Sequence, residues 1–280
     1  MSTSGGAASA GDGLPLTLGF LSMADVPPWD IFDAAHAGGF AAASIRITPR
    51  RVGQRWFPVL GNPEAEPAIR AAAARTGVRL SNVSGYYVAP ETERAHLADV
   101  VAATRRLGCD LIVQGCFEED EARLLALLRD YAAMAADAGI RLAIEFMPFS
   151  TIKTLPDLVA IIDRLGRDNV GMVVDALHLS RSGGSPGQVA RAARSTPVFL
   201  AQICDAAAAP PAGVDLFQEA ITGRRLPGEG ALPLREFLDA LPKGVEIECE
   251  IPLGDATGLT PAARSMRIAD ATRPYCAARG

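Results

Sequence analysis

Eight short apolar runs alternate with longer amphipathic stretches along the whole chain, and that alternation restricts the fold more than any single motif does. The runs are Leu16–Met23, Phe40–Ile47, Val78–Val88, Asp110–Phe117, Arg141–Met147, Val170–Leu177, Val198–Cys204 and Val245–Ile251. Each is β-branched-rich or continuously apolar, as strands of a parallel sheet covered on both faces must be. Helical patterns fill the gaps at Trp29–Ala37, Pro63–Arg75, Glu91–Leu107, Glu119–Ala138, Leu155–Leu165, Gln188–Ala193 and Leu234–Leu241, with one more after Pro261. Gly38, Gly77, Gly108, Gly139 and Gly166 stand where five of these should stop, the usual place for a residue that tolerates a left-handed turn. Eight β/α steps in 280 residues match a closed (β/α)₈ barrel, which takes roughly 250. An open doubly wound sheet would need a glycine-rich turn after its first strand, where this chain has S-M-A-D-V-P-P. The expectation is an α/β chain with one domain, a (β/α)₈ TIM barrel over 14–280. It follows a flexible tail over 1–13 that lacks the basic and apolar regions of a signal peptide.

A formal net charge of −5 leaves no basic footprint for nucleic acid or an anionic membrane. No apolar run approaches the roughly 20 residues that span a bilayer. Cys109, Cys116, Cys204, Cys249 and Cys276 include no C-x-x-C pair, and most lie in apolar runs. They read as reduced, packed thiols of a cytoplasmic protein. The expected partner is a small-molecule substrate, with a homo-oligomer formed through apolar loops such as R-W-F-P-V-L as a further expectation.

In a barrel of this kind chemistry sits at the carboxyl ends of the strands. The fifth run, R-L-A-I-E-F-M-P, carries Glu145 near its end. The sixth carries Asp175, with His178 three residues on, and the seventh carries Gln202 and Asp205. The eighth carries Glu246, Glu248 and Glu250. An acid in an apolar strand is costly unless it is paired or holds a metal. One such acid is more often half of an ion pair, whereas four consecutive strands, each ending in an acid or amide at one level, read as a metal site. Arg46 at the end of the second strand and Arg224 before P-G-E-G are the arginines expected to bind the far end of a substrate, since a guanidinium fork suits a carboxylate or phosphate. Tyr86, Tyr87, Trp29 and Trp56 are candidates for the pocket wall.

The segments I-E-F-M-P, V-V-D-A-L-H-L-S-R-S-G-G, Q-I-C-D-A, R-R-L-P-G-E-G and E-C-E-I-P resemble those of the xylose-isomerase-like TIM barrels. That group includes sugar-phosphate isomerases and epimerases, inosose isomerases and dehydratases, and 3-dehydroshikimate dehydratases. The resemblance implies metal ligands at Glu145, Asp175, Gln202 and Glu250, and an active-site histidine at His178. Glu248 shares side-chain parity with Glu250, so alternation alone does not separate them. The resemblance favours Glu250, which stands before I-P, and leaves Glu248 one layer deeper and in need of a partner. Many epimerases of the group have histidine where Gln202 stands, and the 3-dehydroshikimate dehydratases have glutamine. An all-oxygen set suits Mn²⁺ or Mg²⁺ better than Zn²⁺. Only three histidines are present, which excludes the histidine-rich trinuclear zinc site of the related endonuclease IV enzymes. The implied function is a metal-dependent isomerase or epimerase of a small polyhydroxy ketone or aldehyde. It would act through an enediolate, with Glu145 and Glu250 moving protons and His178 orienting a carboxylate or a substrate oxygen. The alternatives are a metal-dependent dehydratase or other lyase of the 3-dehydroshikimate type, and a non-catalytic barrel that binds sugar or supports a partner.

Overall fold

The computed structural model describes residues 15–54, 56–253 and 258–277. Eight parallel strands close into a barrel in sequence order, with the eighth paired to the first. They are β1 (Leu16–Leu18), β2 (Ala42–Arg46), β3 (Arg79–Ser84), β4 (Leu111–Gln114), β5 (Arg141–Glu145), β6 (Val170–Asp175), β7 (Val198–Ile203) and β8 (Glu246–Cys249). Around them run α1 (Ile31–Ala37), α2 (Ala65–Thr76), α3 (Arg94–Arg106), α4 (Glu121–Asp137), α5 (Leu155–Leu165), α6 (Ala176–Arg181), α7 (Pro186–Ala192), α8 (Leu216–Thr222), α9 (Leu234–Ala240) and α10 (Pro261–Cys276). The (β/α)₈ expectation is met. The tail expected over 1–13 lies outside the described residues.

Local chemistry explains the element ends. Thr154 and Asp157 exchange hydrogen bonds across the first turn of α5, and Gly166 ends that helix at φ +59°, a conformation that costs a residue with a Cβ about 1–2 kcal/mol. Leu124, Leu128, Tyr131 and Ala135 form the buried stripe of α4, the three- and four-residue spacing of one helical face. The first apolar run is cut short. Its strand ends at Leu18, and Phe20–Met23 form a 3₁₀ turn. Gly19 donates to the Cys249 carbonyl at 2.9 Å, and a Cβ there would stand 2.6 Å from the same oxygen. Two short helices were not expected. α6 starts on the residue that ends β6, because the Asp175 carboxylate accepts the His178 N–H at 2.9 Å and caps the helix. α8 is capped by Asp215, which accepts from the Gln218 N–H at 2.8 Å.

The helices bury their apolar faces on the outside of the sheet. A smaller cluster of Leu111, Val113, Ala143, Val173 and Leu200 fills the barrel interior. On β5, β6 and β7, Glu145, Asp175 and Gln202 come two residues after Ala143, Val173 and Leu200, and so share their face. The apolar plug is therefore followed at once by a polar layer at the carboxyl end. At the amino end Glu246 is bonded by Thr17 and by Arg79 at 2.9 Å. It belongs to that end of the barrel and does not share the level of Glu145, Asp175 and Gln202.

All five cysteines are buried thiols. Burial pushes the Cys109, Cys116 and Cys204 thiols up to about 12.

Candidate active site

Strand register sets the geometry of the polar layer. Asp175 pairs with Gln202 across β6 and β7, and Gln202 pairs with Glu248 across β7 and β8. Glu145 pairs with Val173, two residues before Asp175, and Glu250 follows Glu248 by two. The four expected ligands thus climb around half of the barrel mouth on one face, and the stagger of the strands keeps them together.

Gln202 and Glu248, at one level, bond directly. The Gln202 Nε2 donates to Glu248 Oε1 at 2.9 Å, and Asn82 Nδ2 donates to Glu248 Oε2 at 2.8 Å. Glu248 has the partners its depth requires, and a carboxylate that accepts on both oxygens fixes which way the Gln202 amide faces. The Gln202 Oε1 is then turned away from Glu248, buried and without a hydrogen-bond partner. A buried amide oxygen left so is costly unless something outside the chain completes it.

Glu145, Asp175 and His178 each bring a ligand atom within 4.8 Å of the others. His178 Nε2 lies 3.8 Å from Glu145 Oε1. Glu250 stands outside that trio, because Arg224 holds it: Nη2 is 3.1 Å from Glu250 Oε2, while Nη1 donates to Asp175 Oδ2 at 2.5 Å. Asp175 keeps a second lone pair on each bonded oxygen. Burial pushes Glu145 well above the usual carboxylate range, and repulsion from Glu250 and Asp175 adds to it. Burial also raises Glu250, to about 7, against the pull of Arg224. For Asp175 the opposing effects of Arg224 and the His178 N–H outweigh burial, and its carboxyl is lowered. Burial pushes His178 down to about 4, so its ring is neutral at pH 7.

A divalent ion fits this site. Crowded carboxylates, a neutral imidazole and an unpartnered amide oxygen aimed away from its own anchor are the donors a hard or borderline cation takes. Glu145, Asp175, Gln202 and Glu250 would hold it, with His178 beside Glu145.

Glu145, His178, Gln202, Arg224 and Glu250 open into a cavity at the barrel mouth. Arg46, Arg50, Tyr87, Phe149 and Phe217 line its outer part. Of the expected wall residues Tyr87 lines it. Tyr86 packs against His96 with ring centroids 5.6 Å apart, and Trp29 and Trp56 pack on the outer core. Arg181 is held by Glu219 through two bonds of 2.8 and 2.7 Å and serves to tie α6 to α8. Asp205 accepts from the backbone N–H of Gly228, Gly230 and Leu232, each at 3.0 Å. It folds the P-G-E-G loop that carries Arg224 to the mouth. Asn82 and Arg50 were not singled out in the sequence. Asn82 looks like any polar residue of a half-buried strand, and Arg50 looks like one member of a surface basic pair.

The sequence profile of the xylose isomerase-like TIM barrel family matches residues 32–271. The putative hydroxypyruvate isomerase of Streptomyces coelicolor is 28% identical over 246 residues, covering 75% of this chain and 79% of that protein. The inosose isomerase of Bacillus subtilis is 29% identical over 126 residues, 44% of this chain and 43% of that protein. The crystal structure of the IOLI protein with a binding zinc atom superposes with a TM-score of 0.79 at 16% identity, over 95% of this chain and 99% of that one. D-psicose 3-epimerase, solved in the presence of D-fructose, gives a TM-score of 0.71 at 16% identity, over 94% and 100% of the two chains.

Proposed function

Because the chain belongs to the xylose isomerase-like TIM barrel family, we propose that its polar layer is the active site of a divalent-metal-dependent isomerase or epimerase. The substrate would carry a carbonyl beside a hydroxyl-bearing carbon. The relatives named as isomerases support the reaction class. The observation that carries the reading is that Glu145, Glu250 and Gln202, whose Oε1 is unpartnered, line one cavity at the carboxyl end of the barrel, with Asp175 grouped beside Glu145 and His178.

A bound divalent ion supplies positive charge that stabilises the negative charge an enediolate develops on its oxygens. The chain supplies the proton transfers. Glu145 enters from β5 and Glu250 from beyond β8, with β6 and β7 between them around the ring. One carboxylate would take the proton beside the carbonyl and, now the acid, return it to the neighbouring carbon; for inversion at one carbon the opposite glutamate would deliver a proton drawn from water, and the first would release its own to water. His178, neutral and edge-on to Phe149 at 5.4 Å, can donate one hydrogen bond to a substrate oxygen. Arg224 bridges Asp175 and Glu250 and fixes both carboxylates, with its Nε spent on the Ala220 carbonyl. Met147, Phe149 and Phe217 give the cavity its apolar wall.

The test has two parts. Chelator-stripped protein should melt higher when Mn²⁺ is added, by an amount that grows with the ion concentration, and Glu145→Gln should abolish the rise. Incubation of the loaded enzyme with short ketoses and hydroxy-oxo acids in D₂O should introduce deuterium beside the carbonyl of the true substrate. A flat melt in wild type sinks the metal reading. Appearance of a conjugated enone or aromatic absorbance, in place of an isomer, selects the dehydratase reading that Gln202 favours.

A further inference from the structure

Among the described residues, the other fully buried arginine side chains come with carboxylates, and Arg46 does not. Arg224 has Asp175 and Glu250, Arg181 has Glu219, and Arg264 has Asp25. Arg46, at the end of β2, is 4% exposed and has no carboxylate within ion-pair distance among the described residues. Its guanidinium lies 4.8 Å from the Phe20 ring centre and 5.1 Å from that of Tyr87. Its Nη1 donates to the Gly85 carbonyl at 3.1 Å. Its Nε has no partner, and Nη2 makes no hydrogen bond to the described chain. Arg50, four residues on, repeats the pattern. Its Nε is buried without a partner, and its guanidinium sits 5.5 Å over Phe217, with no carboxylate in ion-pair distance among the described residues. Both arginines line the cavity that holds Glu145 and Glu250.

A buried cation is costly unless an anion pairs with it. Charge balance says where that anion comes from. Glu145 and Glu250 line the cavity with Arg46, Arg50 and Arg224, and Asp175 lies buried behind them on Arg224, so three carboxylates meet three guanidiniums. A divalent ion then leaves the loaded cavity positive. Glu248, accepting on both oxygens, offsets one charge, and a single positive charge remains. A monoanion closes the balance. The two aromatic rings fix the plane of the Arg46 fork, which favours a planar bidentate partner. Phosphate sites in barrels of this type are built by the loops after the seventh and eighth strands, and Arg46 and Arg50 follow the second.

We propose that Arg46 and Arg50 form a carboxylate subsite, and that the substrate is therefore a hydroxy-oxo acid and not a neutral polyol ketone. Its carboxylate would lie at the β2 side of the cavity, and its hydroxy carbonyl end would face Glu145 and Glu250. This rests on the metal-site reading above for the far end of the substrate only.

D-Fructose, D-fructuronate and D-fructose 6-phosphate share one hydroxy ketone end and differ at the last carbon, so they serve as probes. Their dissociation constants are measured by calorimetry on the Mn²⁺-loaded protein, for wild type, Arg46→Gln and Arg50→Gln. Wild type should bind fructuronate about tenfold or more tighter than fructose. Arg46→Gln should erase that preference, and Arg50→Gln should reduce it. Mn²⁺ alone should still bind both variants. Equal binding of fructose and fructuronate, a preference that survives both substitutions, tighter binding of the phosphate, or no binding of any probe at millimolar concentration overturns the subsite. If Mn²⁺ fails to bind wild type while the fructuronate preference persists and depends on Arg46, the metal reading falls and the subsite stands. Circular dichroism checks that Arg46→Gln folds. If it does not, Arg50→Gln decides, because that side chain lies nearer the mouth.

Discussion

Glu248 sits below the reacting groups, yet its carboxylate decides what Gln202 presents to them. With both Glu248 oxygens accepting, from Gln202 and Asn82, the amide oxygen of Gln202 is the only end left to face an ion. Glu248→Gln keeps the shape but offers one good acceptor where two donors need one. The Gln202 amide then loses its fixed sense, and Mn²⁺ affinity measured by calorimetry should fall about 10–100-fold, the usual effect of removing an outer partner of a metal ligand. The metal-free melting temperature should hold or rise, since a buried charge is gone. A second expectation follows from protons. Glu250 keeps its proton to about 7 in the metal-free protein, and Glu145 is raised as well. An ion held by Glu145 and Glu250, as proposed, would need both as carboxylates. Binding therefore releases protons near and below neutrality, and affinity should strengthen as pH rises through about 7. Calorimetry in buffers of different ionisation enthalpy counts those protons, and a count of zero at pH 6 would contradict it. At this scale the sequence was informative where polarity interrupted an apolar strand, as at Glu145 and Asp175. It was silent where polarity was ordinary. Asn82 and Arg50 took on meaning once the fold brought them against Glu248 and the cavity.

Elements carry the site as much as residues do. The loop from Arg224 to Leu232 is drawn onto the Asp205 carboxylate by three backbone N–H groups. A Cβ at Gly230 would stand 2.2 Å from Asp205 Oδ1 and 2.3 Å from the Ala206 carbonyl. Gly230→Ala must push the loop off its anchor and carry Arg224 with it, so it should cost a few kcal/mol of stability in urea titration and weaken substrate binding together. On α4 the opposite outcome is expected. The Tyr131 hydroxyl is fully buried without a partner, and Tyr131→Phe should leave stability unchanged or raise it by about 1 kcal/mol. A loss of that size would show an unseen partner. The strand and helix pattern was legible for the long elements because their apolar spacing is strict. α6 escaped notice because V-V-D-A-L-H-L is apolar on both sides of Asp175. One residue ends the strand with its backbone and caps the next helix with its side chain, and hydropathy does not distinguish the two roles.

The molecule as a whole is a ring that one end of the chain must close. β1 contributes three residues and pairs with β2 on one side and β8 on the other. α10 packs its buried Ile268, Ala269 and Thr272 over that seam against α1, with Arg264 tied to Asp25 at 2.8 and 2.9 Å. Removing residues 261–280 should uncover the seam and abolish a single cooperative unfolding transition in urea. A sharp transition with unchanged slope would show that the barrel closes without α10. Closure itself was legible from the count of eight alternations. The stagger that lets Glu250 join residues paired two positions lower was not, because register is a property of neighbouring strands and each strand's own pattern is blind to it.

The buried thiols give this ring a set of internal clocks. Cys204 lies beside Arg224 with Nη1 3.4 Å from its sulfur, Cys109 stands just before β4, and Cys249 is on β8 with Cys276 on the helix that covers the seam. A thiol reagent attacks the thiolate, and only where it can reach. Labelling of the native protein therefore waits for each region to open, and each cysteine's rate times the opening of its own part of the ring. Mass spectrometry that resolves the five sites would read those times without any added probe. An ion bound at the mouth should slow the Cys204 clock and leave that of Cys276 running at its former pace.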